Sequence, residues 1–237
     1  LHIPVLYGSQ TGNSELAAEN LANELPKALS NSSLKVSSTA LQLDDFLEIH
    51  RAPWTPLCVI VCSSYGVGQA PMGAWKFREM CDLILESEAY NDKTFRGLKY
   101  AMLGLGDSKF TTFFLNPTAL NSGMEKAGAE RVGSLGKADA SGKGDKNQLK
   151  VIEDWSRDII HDLKRVVSEL ERQNDSEWEE KEKEVATSRA YTQELCKKIY
   201  DDWDTNAAAN DPSVGLGKTV TVSVVILAII VALYLQS

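Results

Sequence analysis

Short apolar runs alternate along most of this chain with longer segments in which apolar residues recur at helical spacing. HIPVLY is followed by a helical pattern at about 12–29 and then by LKVSS, LCVIVC by a pattern at about 74–88, LKYAML by one at about 116–127, and RVGSL by one at about 147–171. Runs such as LCVIVC are continuous rather than alternating, the mark of strands buried on both faces. That confines the fold to the α/β class, with five strands in a parallel, doubly wound sheet covered by helices on each side. Such sheets bind ligands beyond the carboxyl ends of their strands, where strand order reverses. The chemistry is therefore expected in the loops that follow the strands.

The chain has 237 residues, and residues 1–173 suffice for one domain with a sizeable core. Formal net charge is −8, and much of it is concentrated in residues 174–204, which hold ten acids and five bases. This excludes a basic nucleic-acid footprint and fits a solvated, helical stalk, the alternative being an exposed charged helix. Trp178, Val185, Tyr191, Leu195, Ile199 and Trp203 form an imperfect apolar stripe there, suited to docking on the domain or to self-association. Residues 205–218 read as a flexible linker.

Residues 219–235, TVTVSVVILAIIVALYL, carry no charge. As a helix, these 17 residues span about 25 Å at ~1.5 Å per residue, near the lower limit for crossing a bilayer core. A helix satisfies every backbone group in lipid, so a single C-terminal transmembrane helix is the expectation. A buried core helix or a β-rich hairpin is the alternative, because Val, Ile and Thr dominate the run. Lys218 agrees with a domain facing the cytosol, and the short span suits the endoplasmic reticulum, with the mitochondrial outer membrane and a plastid envelope as alternatives.

Cys58, Cys62, Cys81 and Cys196 show neither C-x-x-C pairing nor a disulfide framework and fit a reduced compartment, Cys58 and Cys62 as core residues. His2, His50 and His161 are scattered, so no metal site is expected. The chain starts at Leu1 inside an apolar segment, which leaves the question of a leader open.

The loop after the first strand, YGSQTGNSE, offers the hydroxyls of Ser9, Thr11 and Ser14, the amides of Gln10 and Asn13, and the turn-forming Gly8 and Gly12, all at the start of a helix. Hydroxyls and free N–H groups at a helix N-terminus make a phosphate site, and without a Lys the loop is not that of a nucleoside triphosphatase. A terminal monophosphate is the expected ligand, a plain polar helix cap the alternative. The loops SSYGVGQAPMGAWKF and LGLGDSKFTTFF expose Tyr65 and Phe110 between flexible positions, a pair able to clamp a flat ring system, with Gly66, Gly68, Gly104 and Gly106 permitting close backbone approach. A phosphate cradle beside a planar clamp matches flavin mononucleotide, FMN.

GSQTGNS, SSYGVG and LGLGDSKF, in that order and spacing, resemble the flavodoxin-like FMN-binding domain of the diflavin reductases, and the GLGDS stretch is similar to that of methionine synthase reductases. The resemblance covers about residues 3–163. It implies that Ser9, Gln10, Thr11, Gly12, Asn13 and Ser14 hold the FMN phosphate. Ser63, Ser64, Tyr65 and Gly66 would surround the isoalloxazine ring together with Leu105, Gly106, Asp107, Ser108, Lys109, Phe110, Thr111, Thr112, Phe113 and Phe114. Asp139 in GKAD would complete the site, with Tyr65 and Phe110 as the stacking pair and no catalytic side chain or metal.

Three departures qualify the likeness. GVGQAPMG at 66–73 lacks the acids common there, which implies a less negative second reduction potential. Phe110 stands where Tyr is common, and no FAD and NADPH domain follows the FMN domain in this sequence. The expectation is a tail-anchored FMN electron carrier, a component of an oxidoreductase system. It would take electrons from a separate NAD(P)H-dependent reductase and pass them to a redox protein or membrane enzyme. The rivals are an FMN-dependent NAD(P)H quinone reductase, a module feeding a radical or methyltransferase enzyme, and a membrane adaptor with a degenerate pocket.

Overall fold

A computed structural model describes residues 1–47, 55–90, 94–173 and 177–180 and the single positions 183, 187, 195 and 197. Two compact units divide the chain, Leu1–Cys196 and Lys197–Ser237. The expected linker at 205–218 and transmembrane helix at 219–235 lie outside the described residues, as does most of the expected stalk at 174–204. Among the described residues no helix is long and apolar enough to cross a membrane.

The first unit is built on a parallel sheet of β1 (Val5–Gly8), β2 (Ala40–Gln42), β3 (Leu57–Ser63), β4 (Lys99–Gly106), β5 (Glu130–Arg131) and β6 (Gly136–Asp139). Strand order is β2-β1-β3-β4, with both β5 and β6 paired parallel to β4 beyond it. The helices are α1 (Asn13–Ala28), α2 (Leu43–Leu47), α3 (Trp75–Glu86), α4 (Leu115–Lys126) and α5 (Gln148–Glu171). The doubly wound α/β expectation holds, and order reverses between β1 and β3, which places the ligand crevice at their carboxyl ends.

Both faces of the central strands are covered, which is why their sequences are continuously apolar. Leu57, Val59 and Val61 of β3 and Ala101, Leu103 and Leu105 of β4 share one core with Leu21 and Leu25 of α1 and Trp155, Ile159 and Leu163 of α5. The alternate residues Cys58, Ile60, Cys62, Tyr100 and Met102 are equally buried, as are Phe77, Met80, Cys81, Ile84, Leu120 and Met124 of α3 and α4. The ring of Phe77 stacks on Phe95 at 5.8 Å. Burial pushes the Cys58 and Cys62 thiols up to about 12, the condition of inert core residues.

Two strands differ from their expected positions. The segment LKVSS, at 34–38, makes only an isolated bridge, His2 to Ser37, and β2 begins at Ala40. Leu34 and Val36 instead pack partly buried against the core from a loop. RVGSL, expected as the fifth strand, is where that strand is interrupted. Gly133 takes a φ of 67°, outside strand geometry, so β5 pairs with Lys99 and Tyr100 and β6 resumes opposite 103–106. Trp178 packs partly buried against the α1–α5 core, and Leu195 is fully buried.

Two of the helix starts are capped by side chains, one of them distant in sequence. Asp44 of α2 accepts from Trp75 N at 3.1 Å and Phe77 N at 2.9 Å, capping α3 from a distance, while Asn147 caps α5 by accepting from Leu149 N. Phe114, at the start of α4, adopts a φ of 67° and is 5% exposed. Its ring lies so close over Gly104 that a Cβ there would stand 2.3 Å from it. Gly104→Ala is therefore expected to destabilise the protein by about 1–3 kcal/mol through overpacking, read as a lower urea midpoint with unchanged slope.

Candidate functional site

At the carboxyl end of the sheet, the loops after β1, β3, β4 and β6 surround a cavity of ≈ 390 Å³. Gln10, Thr11, Asn13 and Ser14 form one wall and Ser63, Ser64, Tyr65 and Gly66 another. Leu105, Gly106, Asp107, Phe110, Thr112 and Phe113 line it from the β4 side, joined by Ala140 and Gln148.

The first wall is the start of α1. Gly12 takes a φ of 88° at the N-cap position, and its N–H donates to Ser9 Oγ at 3.1 Å, so Ser9 shapes the turn. The first N–H groups of a helix have no partner within it. Ser14 lies among them, 1% exposed, lining the cavity, and its hydroxyl has no hydrogen-bond partner. A buried hydroxyl normally has one. With the N-terminal N–H groups and the hydroxyl of Thr11, it forms a donor set for an anion, and among the described residues no lysine or arginine lines the cavity. Tyr7 locks the arrangement by donating from its hydroxyl to Glu15 at 2.8 Å; burial, followed by this bond, raises its pKa to about 12.

The opposing walls carry the aromatic rings. Tyr65 and Gln69 close a tight turn, with Tyr65 N donating to Gln69 O at 3.0 Å and Gln69 N to Tyr65 O at 2.8 Å. Thr112 Oγ1 donates to Gly66 O at 3.1 Å, tying the β3 and β4 loops together. Tyr65 is 44% and Phe110 61% exposed on the same cavity, consistent with faces available to a planar ligand. Beneath them, buried Asn116 donates from Nδ2 to Ser63 O at 2.8 Å and from its backbone N to Ser64 Oγ at 3.1 Å. Arg78 completes the brace by donating to Asn116 Oδ1 at 3.1 Å.

Several residues singled out from sequence stand behind the wall. Phe114 lies under the β4 loop, its ring 5.8 Å from that of Phe113, with the Lys137 ammonium 4.7 Å from the Phe113 and 4.8 Å from the Phe114 ring centre. Asp139 Oδ1 accepts from Ser108 N and Ser141 N, each at 2.9 Å, and Asp107 accepts from Lys109 N at 3.0 Å and from the Ser141 hydroxyl. Ser9, Gly12, Ser108, Lys109, Thr111, Phe114 and Asp139 are outside the set that lines the cavity. Sequence reasoning missed Asn116, Ala140 and Gln148. Gln148, the first residue of α5, donates from Nε2 toward Gly106 O at 3.4 Å and Ala138 O at 3.3 Å, and only its place after the last strand could have signalled it.

A cavity at the switch point of a doubly wound sheet, with neutral anion donors on one wall and aromatic rings on the others, is the site expected of an FMN-binding electron-transfer domain. The flavodoxin family profile matches residues 5–155, and the chain belongs to that family. It is 33% identical over 140 residues to an NADPH-dependent diflavin oxidoreductase 1 from Schizosaccharomyces pombe, a stretch covering 58% of this chain and 22% of that protein. It is also 32% identical over 161 residues to an NADPH–cytochrome P450 reductase from Saccharomyces cerevisiae, covering 68% of this chain and 21% of that protein. The chain thus spans about a fifth of the length of these relatives. A solved structure of a mutant flavodoxin from Pseudomonas aeruginosa superposes with a TM-score of 0.52 at 20% identity, over 69% of this chain and 99% of that one. FMN is the cofactor these findings indicate, and the orphan Ser14 hydroxyl, the neutral donor set and the two exposed rings fit it.

Ser14→Ala is expected to weaken FMN binding about ten- to a hundredfold, as loss of a hydrogen bond to a charged group does, read by titrating flavin fluorescence. The hydroxyl of Ser108 and the backbone donors around it hold the Asp139 carboxyl below its usual range. That contribution to stability is present above the unfolded carboxylate pKa and is lost as pH falls through the lower folded value. The stability gap between the parent and Asp139→Asn is accordingly expected to be widest near neutrality and to close in acid, measured by urea unfolding across pH.

Proposed function

We propose that this FMN-binding domain works as a membrane-held electron relay. It accepts electrons from a separate NAD(P)H-dependent reductase and delivers them to a redox protein or a membrane enzyme. The observation that carries the reading is the buried, unpartnered Ser14 hydroxyl at the start of α1, opposite a wall with two exposed aromatic rings. The names of the diflavin oxidoreductase and cytochrome P450 reductase relatives support an NADPH-dependent donor.

In this reading Thr11, Asn13 and Ser14 hold the phosphate through neutral donors and the dipole of α1. Tyr65 and Phe110 orient the ring and exclude water from its faces, while Asn116 and Thr112 keep their loops in register. Bound FMN supplies one- and two-electron redox chemistry. No side chain lining the cavity is required to act as acid or base, so the protein's work is binding, orientation and electrostatics.

For the anchor, the support is the uncharged run at 219–235, with Lys218 before it favouring a cytosolic domain. The span favours the endoplasmic reticulum over thicker membranes. Anchoring raises the effective concentration of the relay near membrane-bound partners.

The test is a visible spectrum of the full chain incubated with FMN, desalted and then floated with phosphatidylcholine vesicles. Flavin bands are expected in the parent and weaker ones in Tyr65→Ala, with both proteins floating. Loss of flotation is expected when Ile226 and Ile230 are both changed to Lys. A colourless parent would remove the electron-relay reading and favour an adaptor, and an NAD(P)H oxidation activity of the chain alone would favour a quinone reductase.

A further inference from the structure

We infer that the loops at 65–75 and 110–115, on the rim of the cofactor cavity, form an uncharged docking face for a protein that exchanges electrons through a similarly uncharged, apolar face. This rests on the electron-relay reading and adds to it the chemistry by which the partner is recognised.

The large hydrophobic side chains that stay exposed among the described residues are not scattered. Tyr65, Val67, Met72, Trp75, Phe110 and Leu115 lie in the loops after β3 and β4 and the first residues of the helices that follow them. The other two, Leu16 and Leu149, sit in the first turns of α1 and α5, whose neighbours Ser14 and Gln148 line the cavity. All eight therefore belong to the carboxyl end of the sheet, and the opposite end exposes none among the described residues; with Tyr65 and Phe110 given to the FMN ring, Val67, Met72, Trp75 and Leu115 are the part open to a partner. Isolated exposed apolar residues are ordinary, but their confinement to one end of a domain is not.

Charge is absent from the β3 and β4 loops that carry six of these side chains, with Asp107 at their border. Residues 55–75 and 110–124 contain no Asp, Glu, Lys or Arg, although such residues make up 24% of the chain. For β3 itself burial explains this, but Val67 and Met72 are 75% and 59% exposed and could carry charge without structural cost. The two loops form one surface. Thr112 Oγ1 bonds Gly66 O at 3.1 Å, and the Leu115 side chain lies against Gly68, where a Cβ would stand 2.8 Å from it. Trp75 is pinned by its indole N–H to Ala70 O at 2.7 Å. Aromatic and Met side chains in a patch depleted of charge, bordered by charged residues such as Asp107 and Lys109, have the composition of a protein–protein interface centre.

The location selects the occupant. The patch surrounds the opening through which electrons must enter and leave, so a partner seated on it is placed for exchange, whereas a second copy of this chain would close that opening. A lipid surface would select a basic border, and here Asp107 and Asp139 stand beside Lys109 and Lys137. A face with no charges of its own complements a partner face that also lacks them, because an unmatched charge there would be desolvated without a counter-ion.

The test uses the full chain loaded with FMN, reduced by dithionite and freed of the excess by desalting, with azurin as the probe, a copper protein that takes one electron per molecule through an uncharged apolar face. Ionic strength is varied from about 0.15 to about 0.5 M, where screening of ~8 Å or less suppresses steering by net charge and leaves local contacts. The second-order rate is expected to change by less than about twofold in the parent over this range. Changing Val67 and Leu115 together to Ser should lower it several-fold with the flavin spectrum intact, and changing both to Glu should lower it further, because the new acids would be desolvated without a counter-ion. A steep salt dependence in the parent, or a parental rate in the serine variant, overturns the inference. So does a concentration-dependent dimer lost in that variant, which assigns the face to a second copy, or quenching of Trp75 by brominated lipid, which assigns it to the membrane. A colourless chain defeats the relay reading as well, whereas a yellow chain with unaffected rates defeats the docking face alone.

Discussion

Burial of β3 and β4 on both faces is the constraint from which the rest of the molecule follows. With Leu57, Val59 and Val61 directed into one core and Cys58, Ile60 and Cys62 into the other, neither face of the sheet can hold a ligand. Polar chemistry is driven to the strand ends, and the carboxyl ends are where the neighbouring helices begin and their unpaired N–H groups point. The cavity is thus the part of the domain where backbone donors, hydroxyls and aromatic rings meet without loss of core burial.

The site is rigid because its loops are braced from beneath. Asn116, fully buried, is bonded to Ser63 and Ser64 on one side and to Arg78 on the other, so the β3 loop, α3 and α4 are tied to one another. Phe114 sits in the same arrangement with a left-handed backbone, a conformation uncommon for a residue with a side chain. Its ring fills the space over Gly104, and that contact fixes where the following helix begins. A glycine in mid-strand, a positive φ at a helix start and a buried amide together hold Phe110 and Phe113 at the cavity.

Much of this was legible in the sequence, for identifiable reasons. Continuous apolar runs announced β3 and β4, and helical spacing placed α1, α3, α4 and α5 within a few residues of their ends. The weak strands were not legible in the same way. LKVSS carries apolar residues that pack from a loop, while β2 itself is three residues of mixed burial. RVGSL has the composition of a strand, but the φ of Gly133 interrupts it, and no local pattern reports that pairing continues past the break. At the site, the hydroxyls and rings were visible because loops after strands concentrate function. Asn116 and Gln148 were hidden because they act from the first residues of helices, where an amide reads as an ordinary helix start. Asp44, which caps α3 across 31 positions, was equally out of reach of local reasoning.

The neutral phosphate wall and the uncharged rim have a common electrostatic consequence. Nothing lining the cavity neutralises a phosphate, and the loop at 66–73 adds no acid next to the ring. Dipolar donors bind an anion without cancelling its charge, so the phosphate of a bound FMN keeps its negative charge, and acids in the β3 loop, had they been present, would add to it. Their absence lowers the penalty for placing an electron on the ring, and at the same time removes the groups that would steer a basic partner. The neutral donor wall and the acid-free loop at 66–73 are in this sense linked by one electrostatic logic.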